Sequence, residues 1–141
     1  MKEINYYLDD GAFAPVRAHS ADAGLDLKSR TDTTIKPHSG ASFDTGVHVN
    51  IPEGYGGFLK AKSGLNVKHD IFGTGVIDAG YTGPIVVKLY NLGDKSYTVH
   101  RGDKIIQLVI SKVETPEPVE TTTFNEVASN RGENGFGSSG K

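Results

Sequence analysis

The chain has no cysteine, so disulfides and thiolate metal sites are excluded and the redox compartment is left open. Zinc-ligand spacing is missing too. The histidines, His19, His38, His48, His69 and His100, are scattered, which disfavours a zinc enzyme or a Ser/His/Asp hydrolase. Among metals with oxygen ligands, Mg²⁺ held through phosphate and a few carboxylates fits best. There is no excess of positive charge. Fifteen Lys and Arg stand against 17 Asp and Glu, a net charge of −2, so nothing marks a nucleic-acid footprint. No apolar run approaches bilayer length, and Met1-Lys2-Glu3-Ile4-Asn5 has no apolar stretch of a secretory signal. The expectation is a soluble cytoplasmic protein with no membrane partner. Apolar residues make up only 36% of the chain, so stability is expected to lean on subunit contacts.

Helical periodicity is nearly absent. Short or alternating apolar runs recur instead, cut by many of the 18 glycines and six prolines. Strands are predicted at 4–8, 24–27, 33–35, 41–45, 47–51, 55–61, 75–77, 84–90, 97–99 and 104–111. A turn is expected at 36–40, and the 78–83 connection reads as a hairpin loop. One helical turn is expected at 63–69, with Ser63 as its N-cap. Short strands with frequent turns predict an all-β sandwich or barrel in one domain. After Ser111 the composition turns to Pro, Glu and Thr. Residues 1–112 are read as core, 113–130 as an extended arm with Phe124 and Val127 as anchors, and 131–141 as a Gly/Ser-rich lid. An arm of about 30 residues reaches ~100 Å when extended, enough to cross onto a neighbouring subunit.

Several groups suggest chemistry. Asp26 and Asp78 are lone charges in apolar, tightly turning segments, where a buried carboxylate must be paired, bind metal or order water. Each reads as a general base or metal-associated group, or as a turn aspartate capping backbone N–H groups. Lys62-Ser63-Gly64 precedes the helical turn and suits phosphate, or is an ordinary cap with a solvated lysine. It lacks Walker spacing. Gln107 interrupts an apolar run and either orders water or simply faces outward. Tyr81 stands outside the strands. The final stretch, Arg131 to Lys141, holds a guanidinium suited to phosphate, the flat Phe136, and Gly137-Ser138-Ser139. It reads as a linker or as a lid over something flat at one end and anionic at the other.

In order, these pieces run Ala23-Gly24-Leu25-Asp26-Leu27, Lys62-Ser63-Gly64-Leu65, Gly75-Val76-Ile77-Asp78 with Tyr81 and Gly83, Gly102-Asp103-Lys104-Ile105 with Gln107-Leu108, and the Arg131–Gly140 tail. This closely resembles the five ordered motifs of the trimeric dUTP pyrophosphatases (dUTPases). The resemblance implies a distorted jelly-roll or β-barrel of the β-clip type, in a homotrimer with an exchanged C-terminal arm. Each site would take its third motif from one chain, the first, second and fourth largely from another, and the tail from a third. The reaction implied is hydrolysis of dUTP to dUMP and pyrophosphate with Mg²⁺. It would limit uracil in DNA and supply dUMP for thymidylate synthesis.

By the same resemblance, Asp78 would orient and deprotonate the attacking water. Asp26 and Gln107 would hold the metal's shell through water, with Gln107 also beside substrate. Lys62, Ser63 and Gly64 would contact phosphate. Tyr81 would pack beneath deoxyribose. The backbone of 72–87, including Gly75 and Ile77, would read uracil, and Lys88 is counted among the substrate-binding residues. Phe136 would stack on the base, while Arg131, Gly137, Ser138 and Ser139 close on the phosphates.

Three departures stand out: Lys62 replaces the usual Arg, Gly80 an acidic residue, and Phe72 a small or amide residue near the base. A dCTP deaminase is disfavoured, because its chemistry needs a glutamate at the base and none lies between Glu53 and Glu114. A regulatory protein gated by nucleotide is the alternative of a different class.

Overall fold

In Val86–Asn91 every second side chain is buried: Val87, Leu89 and Asn91 lie inside while Val86, Lys88 and Tyr90 are exposed. This is the two-residue period of a strand with one wet face, and it organises most of the molecule. The computed structural model describes residues 1–124 and 131–137. Among them run β1 (Asn5–Leu8), β2 (Gly24–Lys28), β3 (Thr33–Ile35), β4 (Ser39–Asp44), β5 (Val47–Asn50), β6 (Tyr55–Lys60), α1 (Ser63–His69), β7 (Ile71–Phe72), β8 (Thr74–Ile77), β9 (Val86–Asn91), β10 (Tyr97–Val99) and β11 (Lys104–Lys112). The chain is all-β apart from one short helix, as expected.

The strands form a four-stranded sheet β2-β11-β6-β8, a three-stranded sheet β4-β9-β7, and two pairs, β1-β5 and β10-β3. The barrel expected from the sequence is therefore not closed by hydrogen bonds. Leu27, Leu59 and Leu108 of the larger sheet join Phe43, Val87 and Leu89 of the smaller one, with Val47 and Val49, in one core. Each large apolar side chain so buried contributes about 1.5–3 kcal/mol. A bulge between Lys104 and Ile106 lets both Ile105 and Ile106 turn inward. Buried Asn91 is fully satisfied: its Nδ2 donates to the carbonyls of Ile35 and Lys95 at 3.0 and 2.7 Å, and its Oδ1 accepts from Gly93.

The structure corrects several expectations. β4 begins at Ser39, inside the stretch read as a turn, and β7 lies where no strand was expected. Lys62, not Ser63, is the N-cap of α1. Lys62 has extended backbone angles (φ −72°, ψ 126°) while Ser63 is already helical, and no side chain caps the helix. Nor is 78–83 a hairpin turn. β8 pairs with β6 and β9 with β4, so the loop carries the chain from one sheet to the other. Beyond Val113, which donates to the Gly54 carbonyl at 3.0 Å, residues up to 124 hold no helix or strand. Phe124 is 93% exposed and joins no core cluster among the described residues, and Val127 lies outside them.

Candidate active site

The register of the four-stranded sheet lines up one polar row: Asp26 opposite Gln107, Gln107 opposite Lys60, and Lys60 opposite Thr74. Asp26 therefore sits in mid-strand, not in the turn its glycine neighbour suggested. Its carboxylate is buried, with Lys62 Nζ 2.5 Å from Oδ1 and Lys104 Nζ 3.4 Å from Oδ2. Two ammonium groups offset the cost of burying one carboxylate. Gln107 is half-buried, and its Nε2 donates to the Ala61 carbonyl at 3.1 Å. It thus faces away from the core, as one reading of the sequence has it, with its amide engaged by backbone. Gly24, two residues before Asp26 on the same face, makes room for this amide: a β-carbon there would meet Gln107 Oε1 at 2.2 Å. Ser63 and Gly64 lie exposed at the start of α1, directly after Lys62. The sheet and the helix start thus bring Asp26, Gln107, Lys62, Ser63 and Gly64 together.

Asp78 lies elsewhere. It follows β8 and is exposed, which corrects the expectation of a buried carboxylate; its backbone carbonyl accepts from Tyr81 N–H at 3.2 Å. Four residues of strand rise and three strand spacings separate it from Asp26, about 20 Å within one chain. It stands at a slot of about 190 Å³ lined by Val76, Ile77, Asp78, Tyr81, Pro84 and Val86. The slot opens where β7 ends. There the chain leaves β9 and joins β6, so β8 and β9 face each other without pairing. β8 is an edge strand: Gly75 and Ile77 stand opposite Leu59 and Gly57 and turn their backbone groups to β6, while the free edge keeps unpaired backbone donors and acceptors. Tyr81 lies across the mouth, its hydroxyl donating to the Pro84 carbonyl at 2.8 Å. Gly80 has φ +86°, a conformation glycine adopts without strain, so its replacement of an acidic residue leaves the loop relaxed. Phe72 is 40% exposed and pairs with Tyr90; Lys88 lies on the same outer face, its Nζ over the Tyr90 ring.

In the tail, Arg131 Nε donates to the Asn134 carbonyl at 2.8 Å, and Phe136 is fully exposed beside Gly137. Ser138 and Ser139 lie outside the described residues. Two residues at the site were not singled out from the sequence. Lys104 belongs to the fourth motif and was overshadowed by Gln107. His48 donates to the carbonyl of Thr82 in the Asp78 loop, and no motif contains it. Among the described residues, no group of three or more His, Asp or Glu could hold a metal ion. Asp26, with the Gln107 amide beside it, would share its lysine-paired carboxylate with the water shell of a hard cation that arrives with phosphate oxygens.

Comparison with known proteins fits this geometry. The dUTPase family model matches residues 11–140. A deoxyuridine 5'-triphosphate nucleotidohydrolase of Mycolicibacterium gilvum is 45% identical over 140 residues, covering 94% of this chain and 91% of its own. The Staphylococcus bacteriophage 80alpha dUTPase, solved with dUpNHpp and described as controlling transfer of virulence genes, superposes with a TM-score of 0.93 at 34% identity over 100% of both chains. A phage phi11 dUTPase variant, described as coordinating a structural Mg(II) ion, gives a TM-score of 0.81 at 30% identity over 87% of this chain and 99% of its own. The chain belongs to the dUTPase family.

Proposed function

We propose that this chain hydrolyses dUTP to dUMP and pyrophosphate, in sites shared among three copies of itself. The observation that carries this reading is the placement of Asp78 and Tyr81 at the mouth of an unpaired-edge slot in a dUTPase-family chain. The slot offers backbone N–H and C=O groups to the uracil edge and is narrow enough to resist the thymine methyl. Tyr81 packs beneath deoxyribose and leaves no room for a 2'-hydroxyl. Lys88 and Phe72 lie on the exposed face of the β4-β9-β7 sheet, outside the lining of the slot, and Lys88 would reach substrate only from there.

Asp78 accepts the proton of the water whose oxygen bonds to the α-phosphorus; the bond to the bridging oxygen breaks and pyrophosphate leaves. Ser63, Gly64 and Lys62 contact the phosphates, and Ser63 lies near the departing oxygen. Asp26 and Gln107 would hold the water shell of Mg²⁺, which when bound neutralises developing charge on the triphosphate. Phe136 stacks on uracil while Arg131 and Gly137, with Ser138 and Ser139, close over the phosphates.

One phosphate chain must meet both Asp78 and the Asp26 row, yet about 20 Å separates them within a subunit. A second subunit supplies the missing half, and the 113–130 arm carries the 131–141 lid to a third in a jelly-roll trimer. The sheet face opposite the core supports this assembly. There Phe58 pairs with Val109 and Val76, and Val76 is 61% exposed.

The test is pyrophosphate release from dUTP against dTTP, dCTP and UTP, with and without Mg²⁺. Selective, Mg²⁺-dependent release from dUTP is expected, and deamination of dCTP would overturn the reading. Asp78→Asn should keep assembly and nucleotide binding but lose turnover by about 10²–10⁴-fold. Near-normal turnover would remove Asp78 from its role. A second role, binding a partner protein in a nucleotide-gated way, draws support from the likeness to the bacteriophage 80alpha enzyme. A partner captured only by nucleotide-loaded protein would establish it.

A further inference from the structure

His48 lies on β5 opposite Tyr7 of β1, with 8% of its surface exposed. The two rings stack, with centroids 4.2 Å apart and planes 11° from parallel. Nδ1 of His48 is 2.8 Å from the Thr82 carbonyl oxygen, and Nε2 is 3.0 Å from Asp9 Oδ1. A carbonyl and a carboxylate only accept, so both ring nitrogens are called on to donate. Only the imidazolium does so.

Thr82 belongs to the loop that carries Asp78 and Tyr81. Gly80 N–H ties that loop to the Ile51 carbonyl, and Ile85 N–H ties it to the Val47 carbonyl. Between these two points, among the described residues, the His48 ring makes the one hydrogen bond that joins the loop to another element. We propose that His48 is a positioning residue for the dUTP site: as an imidazolium it clamps the backbone at Thr82 and so holds Tyr81 and Asp78 at the slot. This rests on the dUTP reading above.

The Thr82 carbonyl raises the His48 titration above its ordinary value, burial opposes it, and Asp9, then the charge of Asp44, reinforce it. Asp44 is itself paired with Arg30, and Tyr7 is the other titratable group against the ring. When the ring loses its proton it keeps one donor. One of the two contacts is then lost, and a lone pair faces an oxygen.

The experiment follows the His48 ring by ¹⁵N NMR and measures KM for dUTP against pH in the wild type, His48→Ala and Asp9→Asn. In the wild type, KM rises several-fold as pH passes through the His48 midpoint. In His48→Ala, KM stays high at every pH. In Asp9→Asn the His48 midpoint falls and the KM step moves with it. A wild-type KM profile in His48→Ala overturns the proposal. So does a step that stays put in Asp9→Asn, which decides the matter even where the alanine variant does not fold. Amide exchange of Tyr81 and Gly83 in nucleotide-free protein separates the two readings. Exchange that follows the His48 titration in a protein that does not hydrolyse dUTP upholds the clamp and removes the substrate, whereas exchange indifferent to His48 in an active enzyme removes the clamp.

Discussion

Gly24 gives the Gln107 amide its place beside Asp26, since a β-carbon would lie 2.2 Å from Oε1 and 2.9 Å from Cβ of that glutamine. Gly24→Ala is expected to cost about 1–3 kcal/mol, the usual range for overpacking, and to lower turnover by displacing Gln107. Thermal unfolding and steady-state pyrophosphate release check the two parts separately. Lys62→Met leaves buried Asp26 with only the longer Lys104 contact. The loss should be about 1–2 kcal/mol, less than for a fully buried pair because Lys62 is partly exposed; urea unfolding measures it. The residue types were legible because the chemistry needs carboxylates, an amide, a hydroxyl and an aromatic in a given order. The surroundings of Asp26 were not. Its partners Lys62 and Lys104 lie far off in sequence, and only antiparallel pairing brings them to one face.

At the scale of elements, β5 and the 78–85 loop share the His48 contact. Because the folded-state titration of His48 is raised above 6.5, its contribution to stability is fully present below that pH and is lost as pH rises through the raised value. The urea midpoint of the wild type should therefore exceed that of His48→Gln in mild acid. The gap should narrow as pH increases, and a gap that does not vary with pH would count against the contact. Most strands were legible from the alternation of apolar and polar residues, as in β9 and β11. β7 was not, because two residues carry no period and its strand character comes from pairing with β9. The 78–83 connection was misread for a related reason. Two apolar runs around a Gly-rich turn look alike whether they pair with each other or with third strands. Here β6 and β4 compete successfully for β8 and β9, and the slot exists because they do.

For the whole molecule, the separation of Asp78 from Asp26 makes a sharp test of shared sites. Asp78→Asn and Asp26→Asn subunits, each inactive alone, should regain activity after joint unfolding and refolding. Random mixing into trimers restores about one site in four. No recovery would mean that each chain completes its own site. Val76→Asp, on the sheet face opposite the core, should shift the protein towards monomer in analytical ultracentrifugation while keeping its strand content by circular dichroism. Removing residues 132–141 should lower turnover steeply with little change in melting temperature, since Phe136 is fully exposed and makes no core contact. By itself the sequence determined the all-β class of fold and the family and singled out the groups proposed to carry the chemistry, because alternation, turn residues and reactive side chains are local properties of the chain. Only the tertiary structure decided which strands pair, that a carboxylate is buried between two lysines, that a slot opens between β8 and β9, and that His48 reaches the loop beside it. Those follow from contacts between distant segments competing for the same edges and faces, and no local pattern encodes the outcome of that competition.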